Sequence, residues 1–150
     1  MQYFPDEFVL IHGDCTFSNM MLKNDTTPVL LDPRGYFGTT ELYGDVAYDW
    51  AKLYYSLYSN YDQFNLKNFK LKINDENVEL NIESNHWEDI EDYFFSLLSE
   101  EKIYRSQIKL ILSIIWFSLT TYAWEDYDSI CGAYYNGLLY LKEALNEHNV

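Results

Sequence analysis

Three oxygen-bearing side chains early in the sequence, Asp14, Asn19 and Asp32, have types and spacings that suit one kind of chemistry. Asp14 and Asn19 stand five residues apart in IHGDCTFSN (11–19), and Asp32 follows eighteen residues after Asp14 in LLDPRG (30–35). Phosphoryl transfer from a nucleoside triphosphate needs a carboxylate beside the attacking hydroxyl to accept its proton. It also needs oxygen ligands that hold Mg2+ on the phosphates. An Asp, an Asn five residues on, and a second Asp beyond a hairpin can divide those tasks. Each residue alone is common. The ordered set, each member at a strand end, is much less so.

The elements that must position this set are legible from period and punctuation. Residues 8–11 (FVLI) form a short apolar run of strand character, ended by His12-Gly13-Asp14, where glycine permits a sharp turn. Runs 20–23 and 29–31 read as two strands of a hairpin joined through 24–28. Asp32 then opens a loop with glycines at 35 and 38. From Asp45 the period changes. Ala47, Trp50, Ala51, Tyr54, Tyr55 and Tyr58 recur at three and four, which predicts a helix of about four turns with Asp45 as its N-cap. Residues 68–83 alternate as a hairpin with one buried and one wet face. The remainder predicts helices at 87–98, with Glu88 and Asp89 in the first turn, at 103–124, and at 129–147 with a kink near Gly137. The order implies one α+β unit of 150 residues: catalytic and metal loops in 1–45, then a mainly helical part in 46–150.

Charge narrows the function. The chain has 24 Asp plus Glu against 10 Lys plus Arg, a formal charge of −14. Such a chain is repelled by a phosphate backbone, which argues against nucleic acid as partner and mildly favours a cationic small molecule. The two cysteines, Cys15 and Cys131, are too few for a disulfide framework or a tetrahedral zinc site. The longest apolar stretch, 108–123, is interrupted by Ser and Thr and is shorter than the ~20 residues that span a bilayer. With no signal-like opening, a cytoplasmic protein that does not enter a membrane is expected. The 15 tyrosines are expected to pack in the core with wet hydroxyls more than to line a cleft.

HGDCTFSN resembles the HGD-x-x-x-x-N loop of the aminoglycoside phosphotransferase and choline kinase superfamily, relatives of the protein kinases. LLDPRG is similar to that family's metal-binding Asp segment, and YGDVAYDWA (43–51) resembles its G-D-P-A-Y-D-L-A segment, which opens a helix. The resemblance covers about forty residues. It implies the C-terminal lobe of a protein-kinase-like fold, with Asp14 as catalytic base and Asn19 and Asp32 as Mg2+ ligands. It gives His12, Asp45 and Asp49 supporting roles that brace the catalytic loop. The implied reaction moves the γ-phosphoryl of ATP to a hydroxyl of a small molecule: an amino alcohol, an aminoglycoside or a sugar.

Departures from the pattern qualify this. Thr16 stands where protein kinases place a loop lysine, which favours a small-molecule acceptor. D-P-R-G replaces D-F-G, and Arg34 is read as pairing with an acid more than as touching a phosphate. Nothing before His12 provides a Gly-rich loop or strand lysine, so a C-terminal fragment without the nucleotide lobe is expected. Apolar surface would then lie open near Phe4, Phe8, Val9 and 111–116, to be covered by a copy of the chain or a partner chain. A catalytically silent binding or assembly module is the alternative, and a metal-dependent hydrolase a third reading that leaves the spacing to Asn19 unexplained. Trp116, Phe117, Tyr122 and Trp124 are read as core rather than a cation cage. Glu125, Asp126 and Asp128 are read as a solvated acidic loop rather than an ammonium site, and Cys15 as packing beneath the catalytic turn.

Overall fold

Alternating short apolar runs give the first part of the chain its strands. The structure, a computed structural model, describes residue 5 and residues 7–123 and 126–148. β1 (Val9–Leu10) leads into the His12-Gly13-Asp14 turn and a single 3-10 turn at Phe17–Asn19. β2 (Met20–Lys23) and β3 (Thr27–Leu30) form an antiparallel hairpin, and β4 (Tyr36–Phe37) pairs with β5 (Thr40–Glu41). β6 (Tyr43–Gly44) returns to pair with β1, which closes the segment that carries the candidate site. Pro28, expected in the loop, sits inside β3 opposite Leu22. In a two-stranded hairpin every strand is an edge, so the missing N–H of proline is tolerated there.

Helices then build the core. α1 (Val46–Leu57) begins where expected, with the Asp45 side chain accepting from Ala47 N at 2.9 Å. The short α2 (Tyr61–Asn65) follows; no periodic signal announces a helix of five residues. β7 (Phe69–Ile73) and β8 (Val78–Ile82) form the second hairpin, with its inward face half-buried rather than sealed. α3 (Glu91–Glu100) starts four residues later than expected, after a 3-10 turn, so Glu91 and Asp92 occupy its first turn instead of Glu88 and Asp89. α4 (Arg105–Leu119) is shorter at both ends than the expected 103–124; Trp124 and Glu125 lie outside the described residues, as does Phe4. α5 (Tyr127–His148) runs unbroken through Gly137. That glycine is explained by close approach: a Cβ there would lie 2.7 Å from the Phe117 ring of α4.

About 49% helix with four small antiparallel sheets makes an α+β chain. α4 packs on both α1 and α5. Ala47, Ala51, Tyr54, Tyr55, Phe64, Phe94, Leu98, Ile108, Leu112, Trp116, Ala133 and Tyr140 fill the space between the helices. The expectation of an open apolar face along 111–116 is overturned: Leu112, Ile115 and Trp116 are buried, and Ile114 alone in that stretch is exposed. Near the other expected positions, Phe8 is exposed and Val9 half-buried, and Leu10, Met21, Leu22, Leu42 and Tyr43 are further exposed apolar side chains in the β-rich part. Among the described residues no helix is long and apolar enough to cross a membrane.

The tyrosines divide between core and surface. Burial raises the phenols of Tyr54, Tyr55 and Tyr140 well above their ordinary value, with Glu91 adding to the effect at Tyr54 and Tyr61 at Tyr55. A raised folded-state pKa means that the folded chain keeps protons the unfolded chain loses above pH ~10. The stabilisation is therefore complete below that pH and lost as pH rises further. Lys52 acts oppositely, because burial lowers its pKa, but one lysine opposes three phenols. The urea midpoint is expected to fall steeply from about pH 9 to about pH 11. A flat midpoint over that range would contradict the buried phenols.

Candidate functional site

The loop from His12 to Asn19 has almost no regular structure, so its backbone must be held by other means. Asp49, on the first turn of α1, accepts from His12 N through Oδ2 and from Gly13 N through Oδ1, both at 2.7 Å. Asp14 N donates to His12 Nδ1 at 3.2 Å, and Thr16 N to the carbonyl of Asp14 at 2.8 Å. Phe17 N donates to Ser56 Oγ on α1, Ser18 N to Asp62 Oδ1 on α2, and Asn19 N to the carbonyl of Thr16. Gly13 is required at its place: its φ is +79°, and a Cβ would meet the Arg34 side chain at 3.0 Å. Among the described residues Asp45 makes no hydrogen bond to this loop; it caps α1, and burial raises its carboxyl pKa.

Asp14 and Asn19 come together. The Asn19 Nδ2 donates to Asp14 Oδ2 at 3.1 Å and to the Asp14 carbonyl at 3.0 Å. The other oxygen, Asp14 Oδ1, pairs with Lys52 Nζ at 2.8 Å. The Lys52 side chain is only 8% exposed against 27% for Asp14, so the cation lies beneath the carboxylate and the carboxylate faces outward. Burial lowers the Lys52 pKa, and its contact with Asp14 works against that shift. Each Asp14 oxygen has more than one lone pair, so both can accept these contacts and one can still accept a substrate proton.

The backbone on either side of Asp32 is tied to the same turn. Leu31 N donates to the carbonyl of Asn19 at 2.8 Å, the carbonyl of Leu31 lies 2.8 Å from His12 Nε2, and Arg34 N donates to the carbonyl of His12 at 2.9 Å. A carbonyl can only accept, so His12 carries its proton on Nε2 and accepts through Nδ1. His12 thus ties the turn before Asp14 to the residue before Asp32. Asp32 itself has a left-handed backbone, φ +53°, and is exposed. Its carboxylate makes no hydrogen bond or ion pair with the described residues. Arg34 departs from expectation: it pairs with no acid among the described residues, but donates to the Tyr48 hydroxyl at 3.2 Å and lies over the Tyr36 ring.

The donor set can be tested for a hard divalent cation. The Asn19 amide turns its nitrogen toward Asp14, which leaves its oxygen for other use. With the exposed Asp32 carboxylate this makes two oxygen donors on adjoining segments, the chemistry Mg2+ prefers. Among the described residues no group of three His, Cys, Asp or Glu side chains comes together as a metal site. Any ion here would depend on the Asn oxygen and on oxygens from outside the chain.

Asp14 opens onto a cavity of about 320 Å³ between α1, α2, α4 and the start of α5. Tyr55, Tyr61, Phe64, Ile115 and Leu119 make its apolar walls, and Arg34, Lys52 and Lys67 are its cations. Lys67 is held by Asp126 at 2.5 Å and Ser129 at 2.6 Å, and that contact holds the Asp126 carboxyl down to about 2. Asp126 is thus an ion-pair partner rather than a purely solvated residue. Of the aromatic group, Trp116 is core, Phe117 packs against Tyr134, and Tyr122 is exposed at the cavity. Cys15 is buried beside Asp49; burial first, then the Asp49 charge, pushes its thiol up to about 12, so it is no nucleophile.

Lys52, Ser56 and Asp62 were not anticipated from the sequence. For Lys52 a signal exists: a lysine interrupting the apolar stripe of α1, next to Ala51 and three residues before Tyr55. Ser56 and Asp62 carry no comparable mark. The Asp49 contacts give a direct test. Changing Asp49 to asparagine replaces one acceptor with a donor facing a backbone N–H. A loss of about 2 kcal/mol is expected, because charge-assisted hydrogen bonds contribute ~1.5–3 kcal/mol. Urea unfolding measures it; a change under ~0.5 kcal/mol, the range of ordinary surface substitutions, would show that the turn holds itself.

Compared with known proteins, the chain matches no family model, no curated protein and no solved structure.

Proposed function

We propose that this chain carries the proton-accepting and metal-binding residues of an ATP-dependent phosphotransferase of the aminoglycoside phosphotransferase type, acting on a small-molecule hydroxyl. On this reading its fold is the C-terminal lobe of a kinase-like enzyme. The observation that carries the proposal is Asp14 itself. It is held by Asn19 on one oxygen and Lys52 on the other, on a turn locked by Asp49, at the mouth of a cavity large enough for a small acceptor.

The acceptor hydroxyl donates to Asp14 from within the cavity. As its oxygen forms a bond to the γ-phosphorus, the bond from that phosphorus to the ADP oxygen breaks, and the hydroxyl proton passes to Asp14. Lys52 and Asn19 keep the carboxylate at a fixed angle during this step. Asn19 and Asp32 would hold Mg2+, which would supply charge neutralisation to the phosphate oxygens. A water molecule could replace the acceptor in a hydrolase, but a walled cavity beside the base favours a larger hydroxyl compound.

The test is ADP release by the protein with MgATP and a panel of hydroxyl compounds. Release that needs both Mg2+ and an acceptor supports the proposal. ADP release indifferent to every acceptor points to a hydrolase. No MgATP binding, read as no thermal stabilisation by MgATP, points to the silent module only if adding a nucleotide lobe does not restore it.

A further inference from the structure

The net charge of the chain and the charge of its cavity point in opposite directions. The chain as a whole carries −14. The described residues lining the cavity include three cations, Arg34, Lys52 and Lys67, and one carboxylate, Asp14. That carboxylate is already paired with Lys52. Asp126, which neutralises Lys67, is not among the lining residues. Of the three cations, Arg34 alone has no ion pair among the described residues.

An ammonium group is recognised by a carboxylate or by the open face of an aromatic ring. Among the described lining residues the one carboxylate, Asp14, already faces Lys52, and the buried Tyr55 and Phe64 show almost no ring surface. The Lys52 ammonium lies 5.4 Å from the Tyr55 ring centroid, and Tyr61 stacks on the same ring at 4.1 Å. An ammonium entering beside them would meet Lys52 and Arg34 at close range in a partly desolvated site, where like charges repel most. Arg34 has the opposite need. Its guanidinium has five N–H donors, one of which meets the Tyr48 hydroxyl, and no carboxylate among the described residues faces it.

We propose that the acceptor is a polyhydroxy compound of the sugar class without positive charge, and that an acidic substituent on it is bound by Arg34. This rests on the phosphotransferase reading for the hydroxyl at Asp14, but the charge preference belongs to the cavity. On this inference the amino alcohols and aminoglycosides that the resemblance allowed bind more weakly. The half-buried Tyr61 and Leu119 supply the apolar wall for a sugar ring, and the exposed Asn65 and Ser118 the hydrogen-bonding groups at its rim.

Matched sugars that differ only in charge test this. Glucose, glucosamine and glucuronate, with the corresponding galactose series, are titrated calorimetrically into the chain at one ionic strength and without ATP. The expected result is uronate tightest, neutral sugar next, and amino sugar at least tenfold weaker than the uronate. The Arg34→Gln variant should remove the uronate's advantage and leave the neutral sugar unchanged. Lys23→Gln, a substitution of an exposed lysine on the β2–β3 hairpin, should leave all affinities as they were. An amino sugar that binds as tightly as the uronate, a preference that survives Arg34→Gln, or no binding by any of the six at millimolar concentration would overturn the inference. Because no nucleotide is present, absence of phosphoryl transfer would count against the phosphotransferase reading and leave this result intact.

Discussion

In the enzyme completed by a nucleotide lobe, changing Asp14 to asparagine is expected to lower acceptor-dependent turnover by a factor of about 10²–10⁴, the range found when a positioned general base is lost. The substitution keeps the size of the side chain and one oxygen that Lys52 can still reach. It removes the second carboxylate oxygen and with it the capacity to take the hydroxyl proton. Lys52→Met is the informative partner, because it leaves the base and removes only the group that fixes it. The exposures predict how stability will divide between the two variants. Lys52 is 8% exposed and Asp14 27%. Removing Asp14 strands a buried cation, whereas removing Lys52 leaves a carboxylate that water can reach. The Asp14 variant should thus be the less stable, although a methionine fills the lysine's space well. Turnover by Asp14→Asn within about threefold of the parent, with near-UV circular dichroism unchanged, would remove Asp14 from the chemistry.

The division between what the sequence revealed and what it hid has a physical cause. The HGD turn, the hairpin behind it and the capped helix at Asp45 are local features, specified by residues within a few positions of one another. Asp49 could be anticipated as a brace, because a helix that starts just after the loop can only turn its first carboxylates back or outward; Asp49 turns back and Asp45 caps. Lys52 could not be assigned to Asp14, since the two lie 38 residues apart and meet only through packing. The same holds for Ser56 and Asp62, whose side chains hold the amides of Phe17 and Ser18. Net charge says little about the cavity for a related reason. It sums the whole chain, while the described charged groups that line the cavity are only Asp14, Arg34, Lys52 and Lys67.

The core and the candidate site share a wall, and Trp116 is where they join. Its side chain is fully buried, and its Nε1 donates to Ser59 Oγ at 2.6 Å. The indole meets the rings of Tyr55 and Phe64 edge to face, with centroids 4.8 and 4.9 Å away, and both of those rings line the cavity. Trp116→Ala is expected to cost about 3–5 kcal/mol, as large aromatic truncations in cores do. The lost hydrogen bond to Ser59 adds about 1 kcal/mol. The void left by the indole dominates, since neighbouring rings can relax into it only in part. A loss of that size is a large share of the ~5–15 kcal/mol that holds a typical domain together. It should appear as a lowered urea midpoint with little change in the denaturant slope. Because Tyr55 also carries the Lys52 ammonium over its face, its relaxation should shift Lys52 and loosen the pairing with Asp14. Trp116→Phe, which keeps a ring against Tyr55, separates the two effects: it should recover most of the stability and the uronate binding together. If Trp116→Ala unfolds no more easily than the parent chain, the helices are not held by this aromatic cluster, and the cavity beside Asp14 has some other support.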